Sequence, residues 1–314
     1  MRETKFPVCA VNIAAQHHPK GIYGRLLNSA FELQRALPVH GDRHALLVSV
    51  ESADELLSGR KVVRGTLSTF LDLDMDAPWF DMENLRVMTE DQRRAIQIPE
   101  SLRPNMADFH FVLDTEGHIL VCQARTEISG KRQHVVKLTG NMLAGFLGEL
   151  FSTPEIQGQY GDIEVTPVPD QDSVEAILKG KIKRLHIFLR VPNPDDLEET
   201  QRQIKKRMKS LHAKQIEHIV SAESGEFVKP DKELLNTARV AALNGKVDAV
   251  LKKGSKSVPT STRSVPATFE ISKDRRETDV RAMDRAAEHA IHMIERFRML
   301  ANPLPTARRR RRRR

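Results

Sequence analysis

The segment from Phe109 to Gln123 reads FHFVLDTEGHILVCQ, and it decides the fold. Two apolar runs of strand-favouring residues flank the four-residue turn Asp114-Thr115-Glu116-Gly117. We expect Gly117, which closes the turn, to supply the positive φ that the turn needs. Because both runs carry apolar residues on both faces, we expect this β-hairpin at about 109–123 to lie inside a sheet rather than at its edge.

A helix is predicted after the hairpin, because apolar residues recur there at spacings of three, four and seven. These residues are Leu138, Met142, Leu143, Phe146, Leu147, Leu150 and Phe151. The remaining pattern predicts strands at 5–15, 44–50, 61–73, 162–168, 182–191, 215–222 and 246–251. It predicts further helices at 21–37, 84–96, 173–178, 230–243 and 277–300. This irregular order indicates an α/β fold of the mixed α+β kind, with a central, largely buried sheet flanked by amphipathic helices.

The domain organisation follows from composition and from one strong helix start at Asn193-Pro194. We expect an N-terminal α/β domain at 1–192, followed at 193–251 by a basic helix and an α/β extension packed on the same sheet. A segment rich in Ser, Thr, Lys and Pro at 252–270 is predicted to be a mobile linker. A C-terminal helix at 271–307 and a polyarginine tail at 308–314 complete the chain.

Composition favours a soluble, cytoplasmic protein. The chain is 39% hydrophobic and 29% charged, and no apolar run reaches the roughly 18 residues that a membrane helix needs. The N-terminus has no signal-peptide pattern. Cys9 and Cys122 both fall in predicted strands, where reduced, buried thiols are more typical than a disulfide.

Positive charge is concentrated in two places. The net charge is +8, and the seven arginines at 308–314 account for all but one of these charges. We expect this tail to be disordered on its own, because a run of like charges repels itself. Residues 179–214 contain eleven Lys or Arg residues but only four acids, which cluster at the predicted helix start.

These charges predict a non-catalytic protein that binds DNA or RNA through phosphates, independently of sequence. The predicted contacts in the body are Lys183, Arg184, Arg202, Lys205, Lys206, Arg207 and Lys209. Those in the tail are Arg308, Arg309, Arg310, Arg311, Arg312, Arg313 and Arg314. Few aromatic residues accompany them, which argues against recognition by base stacking.

A metal-dependent nuclease or phosphodiesterase is the first alternative. Asp72, Asp74, Asp76 and Glu83 have the carboxylate spacing of a calcium-binding loop, although Ala77 stands where such a loop needs glycine. The same residues also fit an acidic strand end and turn. The pairs His40/His44 and His289/His292, and the set Asp162, Glu164, Glu270 and Lys273, are weaker candidates for a divalent cation or a nuclease centre. Apart from such a cation, we predict no cofactor.

The second alternative is a protein-interaction or self-association module. The final helix carries an apolar stripe formed by Val280, Met283, Ala287, Ala290, Ile294 and Phe297. Such a stripe packs either on the protein's own body, which we favour, or on a partner helix.

Several phrases occur together in a characteristic order. They are Gly65-Thr66-Leu67-Ser68-Thr69-Phe70, Trp79-Phe80-Asp81, Leu102-Arg103-Pro104-Asn105, Lys183-Arg184-Leu185 and Pro192-Asn193-Pro194-Asp195-Asp196. Over about residues 5–250 the chain resembles a bacterial family catalogued as a domain of unknown function; the linker, final helix and tail fall outside the resemblance. Genes of such families are often found near mobile-element or phage-defence genes, so the resemblance implies that this protein is a component of a phage-defence or mobile-element system. The resemblance implies no catalytic residues.

Overall fold

The computed structural model describes residues 3–15, 19, 21–56, 58–99, 101–128, 134–190 and 199–301. The strands of its first half are β1 Glu3–Ala15, β2 Leu37–His40, β3 Arg43–Glu55, β4 Lys61–Leu71, β5 Phe80–Asp81, β6 Arg86–Val87, β7 Ala107–Asp114 and β8 Ile119–Gln123. They are followed by β9 Arg125–Ile128, β10 His134–Lys137, β11 Ile163–Pro167, β12 Ile182–Arg190, β13 Gln215–Ser221, β14 Gly245–Lys253, β15 Lys256–Ser261 and β16 Thr268–Asp274. The helices are α1 Ile22–Glu32, α2 Glu90–Ala95, α3 Gly140–Phe151, α4 Pro154–Tyr160, α5 Gln171–Lys179, α6 Glu199–Ser210, α7 Lys232–Leu243 and α8 Asp279–Ala301.

The largest element is an eight-stranded antiparallel sheet with the order β11-β1-β8-β7-β4-β3-β2. The eighth strand, β16, pairs with the first half of β1, while β11 pairs with the second half on the same side. The predicted hairpin is β7 and β8, and it lies between β1 and β4 in the interior of the sheet. The mixed α+β architecture and the interior position of the hairpin are therefore confirmed.

The hairpin turn differs from the prediction in one detail. The positive φ belongs to His118, at 60°, and not to Gly117. Gly117 is needed for space instead, because a Cβ there would lie 2.5 Å from Oδ2 of Asp114. The buried Asp114 carboxylate accepts a hydrogen bond from the backbone N–H of Glu116 at 3.1 Å, so it folds back over the turn.

Both faces of the large sheet are covered. On one face α1, α3 and α4 form a core with the sheet, and the predicted α3 residues Leu143, Phe146, Leu147, Leu150 and Phe151 are buried in it. On the other face α8 lies against β1, β7, β8 and β16. The stripe of α8 is buried in this second core except for Val280, which is half exposed. The favoured prediction that this helix packs on the body is thus confirmed.

A second antiparallel sheet has the order β13-β12-β14-β15. Leu185, Ile187 and Leu189 of β12 are buried in the second core, and helices α5 and α7 contact β12. The predicted extension at 193–251 therefore builds its own sheet instead of adding to the large one, and a boundary at Asn193 would divide this sheet between β12 and β13. The helix start at Asn193-Pro194 itself lies outside the described residues.

The segment predicted as a mobile linker, 252–270, is ordered. It contains the end of β14, all of β15, a short 3-10 helix at Thr262–Ser264 and the start of β16. Its polar composition is explained by β15, an edge strand with one face exposed to solvent. Pro259 is tolerated in β15 because an edge strand pairs its backbone with a neighbour on one side only.

Two predicted helices are shorter in the structure. α1 ends at Glu32, because the chain reverses at Gln34, whose φ is 45°, and Pro38 belongs to β2. α2 begins only after Thr89, which forms a capping box with Gln92. Among the described residues, no helix combines the length and apolar content that crossing a membrane requires.

Candidate nucleic-acid interface

Helix α6 presents the cations of the predicted interface. Gln201 and Met208 are buried, and Ile204 packs against the core, which fixes the inner side of the helix. The side chains that point to solvent are those of Arg202, Gln203, Lys206, Arg207 and Lys209, while Lys205 is half-buried at the margin.

The exposed cations form a compact array. Arg202, Lys206 and Lys209 are spaced i, i+4 and i+7, so they lie in one row, with Arg207 beside it. The row spans about 10 Å along the helix axis, since each residue adds about 1.5 Å. Duplex DNA carries about six phosphate charges over that length. The array therefore has the size of a local backbone contact.

The two predicted strand residues are not part of this array. Lys183 donates a hydrogen bond to the carbonyl oxygen of Glu226 at 2.6 Å, and its Nζ lies 4.6 Å from the centre of the Phe227 ring. Arg184 is exposed, but it lies on the face of β12 opposite to the buried Leu185. Because α6 packs against α7, which covers the core side of the small sheet, Arg184 and the α6 array lie on opposite faces of that sheet. The arginines of 308–314 lie outside the described residues.

Three of the four carboxylates predicted as metal ligands have other partners, including Asp76, which lies 3.5 Å from Arg93, whereas the side chain of Glu83 is exposed. Asp72 pairs with Arg103 at 2.5 Å, and Oδ1 of Asp74 accepts hydrogen bonds from the N–H groups of Asp76 and Ala77 in a local turn. Asp81, which is partly exposed, has the most perturbed carboxyl group of this loop: hydrogen bonds, chiefly from the Gln92 and Asn84 side chains, hold its pKa well below the ordinary range.

The weaker candidates for a nuclease centre are also engaged in ion pairs of their own. Asp162 pairs with Lys214, Glu164 with Arg190, Glu270 with Lys5 and Lys273 with Asp279. His44 lies 4.0 Å from Asp72, whereas His292 lines a cavity between α8 and the turn before β4. Over the residues that the structure describes, no three His, Cys, Asp or Glu side chains form a group able to hold a metal ion. The nuclease-like constellation is therefore not assembled there.

A groove on the open face of the small sheet was not foreseen from the sequence. The register places His186 of β12 opposite Asp248 of β14, and Asp248 opposite Ser261 of β15. Arg184, Val250 and Pro259 form the next row. These residues line a groove of about 570 Å³, with Thr260 and Ser264 at its margin.

The polar groups of the groove are held in fixed positions. Nε2 of His186 lies 2.7 Å from Oε2 of Glu217, which reaches it diagonally from β13. Partial burial raises the pKa of Asp248, but hydrogen bonds from Lys246 and Ser261 and the nearby charges of Lys246 and His186 outweigh it, so the pKa is lowered. Asp248 is therefore an ionised acceptor at neutral pH.

The fold and surface define a mixed α+β protein with a covered antiparallel sheet, a second sheet with one open face and a cationic helix. Residues 4–288 match the family described as domain of unknown function DUF4747, and the chain belongs to that family. The match reaches through the predicted linker and into α8, beyond the 5–250 span of the resemblance. A comparison with curated proteins finds no match.

Proposed function

We propose that the protein binds DNA or RNA without sequence preference, by contacts between the exposed cations of α6 and phosphate groups. The observation that carries the proposal is the array of Arg202, Lys206, Arg207 and Lys209 on the solvent side of a helix whose inner side is anchored in the core. A fixed array loses less conformational freedom on binding than a flexible segment does.

The energetic basis is the release of condensed counterions. Each cation that neutralises a phosphate displaces about one counterion from duplex DNA, so affinity falls as salt rises. Arginine adds a planar fork that matches phosphate oxygens, and two of the four cations are arginines. The arginine tail at 308–314 would supply further contacts of the same kind. The array contains no aromatic side chain, which supports recognition of the backbone rather than of stacked bases.

We place the protein in the cytoplasm, as a non-catalytic component of a phage-defence or mobile-element system. The support for the location is that both cysteines are free thiols, as expected in a reducing compartment. The support for the system is the family resemblance alone.

The test is an electrophoretic mobility shift with labelled duplex DNA, single-stranded DNA and RNA. The variant replaces Arg202, Lys206, Arg207 and Lys209 by Gln. The matched control replaces four exposed cations outside α6, namely Arg25, Arg35, Arg94 and Lys137, by Gln. We expect the α6 variant to weaken binding about tenfold or more at low salt, because four phosphate contacts are lost. The control should change affinity less than twofold. Equal weakening in both variants would show that only net charge matters and would overturn the proposal.

A protein truncated after Ala307 separates the tail from the body. We expect the truncated protein to bind more weakly than the full chain and to lose affinity again when the α6 substitutions are added. If truncation abolished binding while the α6 substitutions had no effect in the full chain, the interface would belong to the tail and not to α6.

A further inference from the structure

We propose that the groove on the open face of the small sheet binds a single free nucleotide, with the phosphate at Arg184 and the sugar hydroxyls at Asp248. The groove and the α6 array lie on opposite faces of the sheet, so this inference does not rest on the proposed nucleic-acid binding.

The dimensions of the groove favour one nucleotide over a longer strand. Its floor consists of two rows of side chains on β12, β14 and β15. Rows on one face of a sheet repeat about every 7 Å along the strands, and three strands span about 10 Å. A volume of about 570 Å³ lies within the range of small-molecule sites.

One end of the groove suits an anion. Arg184 is exposed at this end, and its guanidinium can donate two parallel hydrogen bonds to phosphate oxygens.

The second row suits a sugar. Asp248 is an ionised acceptor about a third exposed, and its position is fixed by Lys246 at 2.7 Å and by the Ser261 hydroxyl. A carboxylate accepts hydrogen bonds from two adjacent hydroxyl groups, as a ribose presents them. His186, held by Glu217, forms the neighbouring wall of the groove.

The apolar part of the floor suits a base. Val250 and Pro259 lie side by side in the same row as Arg184, on β14 and on the edge strand β15, and next to the row that contains Asp248. Their flat apolar surface can cover one face of a base without reading its identity, so we expect weak discrimination among bases. An anion donor, a fixed acceptor and an apolar floor within one small groove match the three parts of a nucleotide.

The test is isothermal titration calorimetry with AMP, GMP, CMP and UMP, and with adenosine, on the full-length protein. We expect at least one monophosphate to bind at millimolar concentration or below. Arg184→Gln should weaken the monophosphate tenfold or more while leaving adenosine unchanged. Asp248→Asn should weaken both, because the ribose is common to them. The control Lys256→Gln, on β15 outside the groove, should bind as the native protein does, and thermal unfolding of each variant shows whether it is folded.

Three outcomes would overturn the inference. They are no binding of any monophosphate by the native protein, equal binding by native, Arg184→Gln and Asp248→Asn proteins, and binding of oligonucleotides alone. The α6 variant should still bind the monophosphate, so a failure of the nucleic-acid proposal and a failure of this one are distinguishable.

Discussion

The guanidinium of Arg60 donates a hydrogen bond of 3.0 Å to the fully buried carboxylate of Asp114, at the end of the central hairpin. Nη2 of the same guanidinium donates a hydrogen bond of 2.6 Å to Oε1 of Glu295 in α8. Burial of Arg60 opposes its charge, but the bonds and charges of Glu295 and Asp114 prevail, and the pKa of Arg60 is raised. One arginine thus ties the hairpin turn to the final helix, and Arg298 of the same helix donates to the carbonyl oxygen of Gly117 at 3.0 Å.

Arg60→Ala should therefore destabilise the protein by about 2–4 kcal/mol, because it leaves the Asp114 charge buried without its cation. The control is Lys5→Ala, which removes an exposed partner of Glu270 and should cost at most about 1 kcal/mol. Urea unfolding followed by circular dichroism measures both. Equal effects of the two substitutions would contradict the structural role of Arg60.

Replacement of glycine by alanine should change the stability of the protein in opposite directions at Gly65 and at Gly145. A Cβ at Gly65 in β4 would lie 2.3 Å from the Phe111 ring and 2.3 Å from the carbonyl oxygen of Ser49. Gly65→Ala should therefore destabilise the protein by about 3 kcal/mol through overpacking. Gly145, on the exposed side of α3, has open space around it, so Gly145→Ala should stabilise by about 0.5–1 kcal/mol. Urea midpoints compare them, and a stable Gly65→Ala protein would show that β4 and β7 pack differently.

The ion pair of Glu175 and Arg239 joins α5 to α7, and we expect its contribution to stability to depend on pH. Nε and Nη2 of Arg239 donate to the two carboxylate oxygens at 2.7 and 3.1 Å, and these bonds lower the pKa of Glu175 below its ordinary value of 4.5 despite partial burial. The folded state therefore binds fewer protons, so the stabilisation is complete above pH 4.5 and is lost as pH falls through the folded pKa. Glu175→Gln should cost about 2 kcal/mol at pH 7.

The measurement for Glu175 is the unfolding free energy of native and Glu175→Gln proteins between pH 7 and pH 3. The difference between them should shrink below pH 4.5. The same series on Glu270→Gln, whose partner Lys5 is exposed, should show little difference at any pH. A difference for Glu175→Gln that stays constant on acidification would contradict the ion pair.

Cys9 and Cys122 lie opposite each other on β1 and β8, and both are buried. Burial raises the pKa of Cys9 to about 12, and burial together with the nearby Cys9 raises that of Cys122. Because thiolates are the reactive form, we expect neither cysteine to react with a thiol reagent at pH 8 in the native protein. Both should react in 6 M guanidinium. Rapid labelling of either thiol in the native protein would show that the sheet opens at β1.

Local patterns predicted much of the large sheet. The hairpin follows from two strand-favouring apolar runs around a turn, and α3 and the apolar stripe of α8 follow from a period of 3.6 residues; all of these are properties of neighbouring residues. The small sheet depends on pairing between β12 and β14, which are far apart in sequence, and no local pattern encodes that pairing. The polar composition of 252–270 predicts a linker although the segment is ordered, because an edge strand with one solvent-exposed face contains the same residue types as a loop. The sequence does not show that Gly117 is needed for space beside Asp114, because residue types alone do not show which residue of a turn takes the positive φ.

The sequence likewise predicts only part of the candidate interface. Helical spacing was sufficient to predict the exposed cations of α6 together. Lys183 and Arg184 lie within the predicted strand 182–191, but only the strand register shows that Arg184 faces away from α6. His186, Asp248 and Ser261 come from three strands, so their meeting in one groove was beyond prediction from the sequence.

The most direct test of the central claim is the salt dependence of duplex-DNA affinity. Binding constants of the native protein, the α6 variant and the four-residue control are measured from 50 to 200 mM salt. Loss of four phosphate contacts should reduce the slope of log affinity against log salt by about 3.6 in the α6 variant, since each contact contributes about 0.9. The control should keep the native slope. An α6 variant with the native slope would contradict the claim that α6 contacts phosphates.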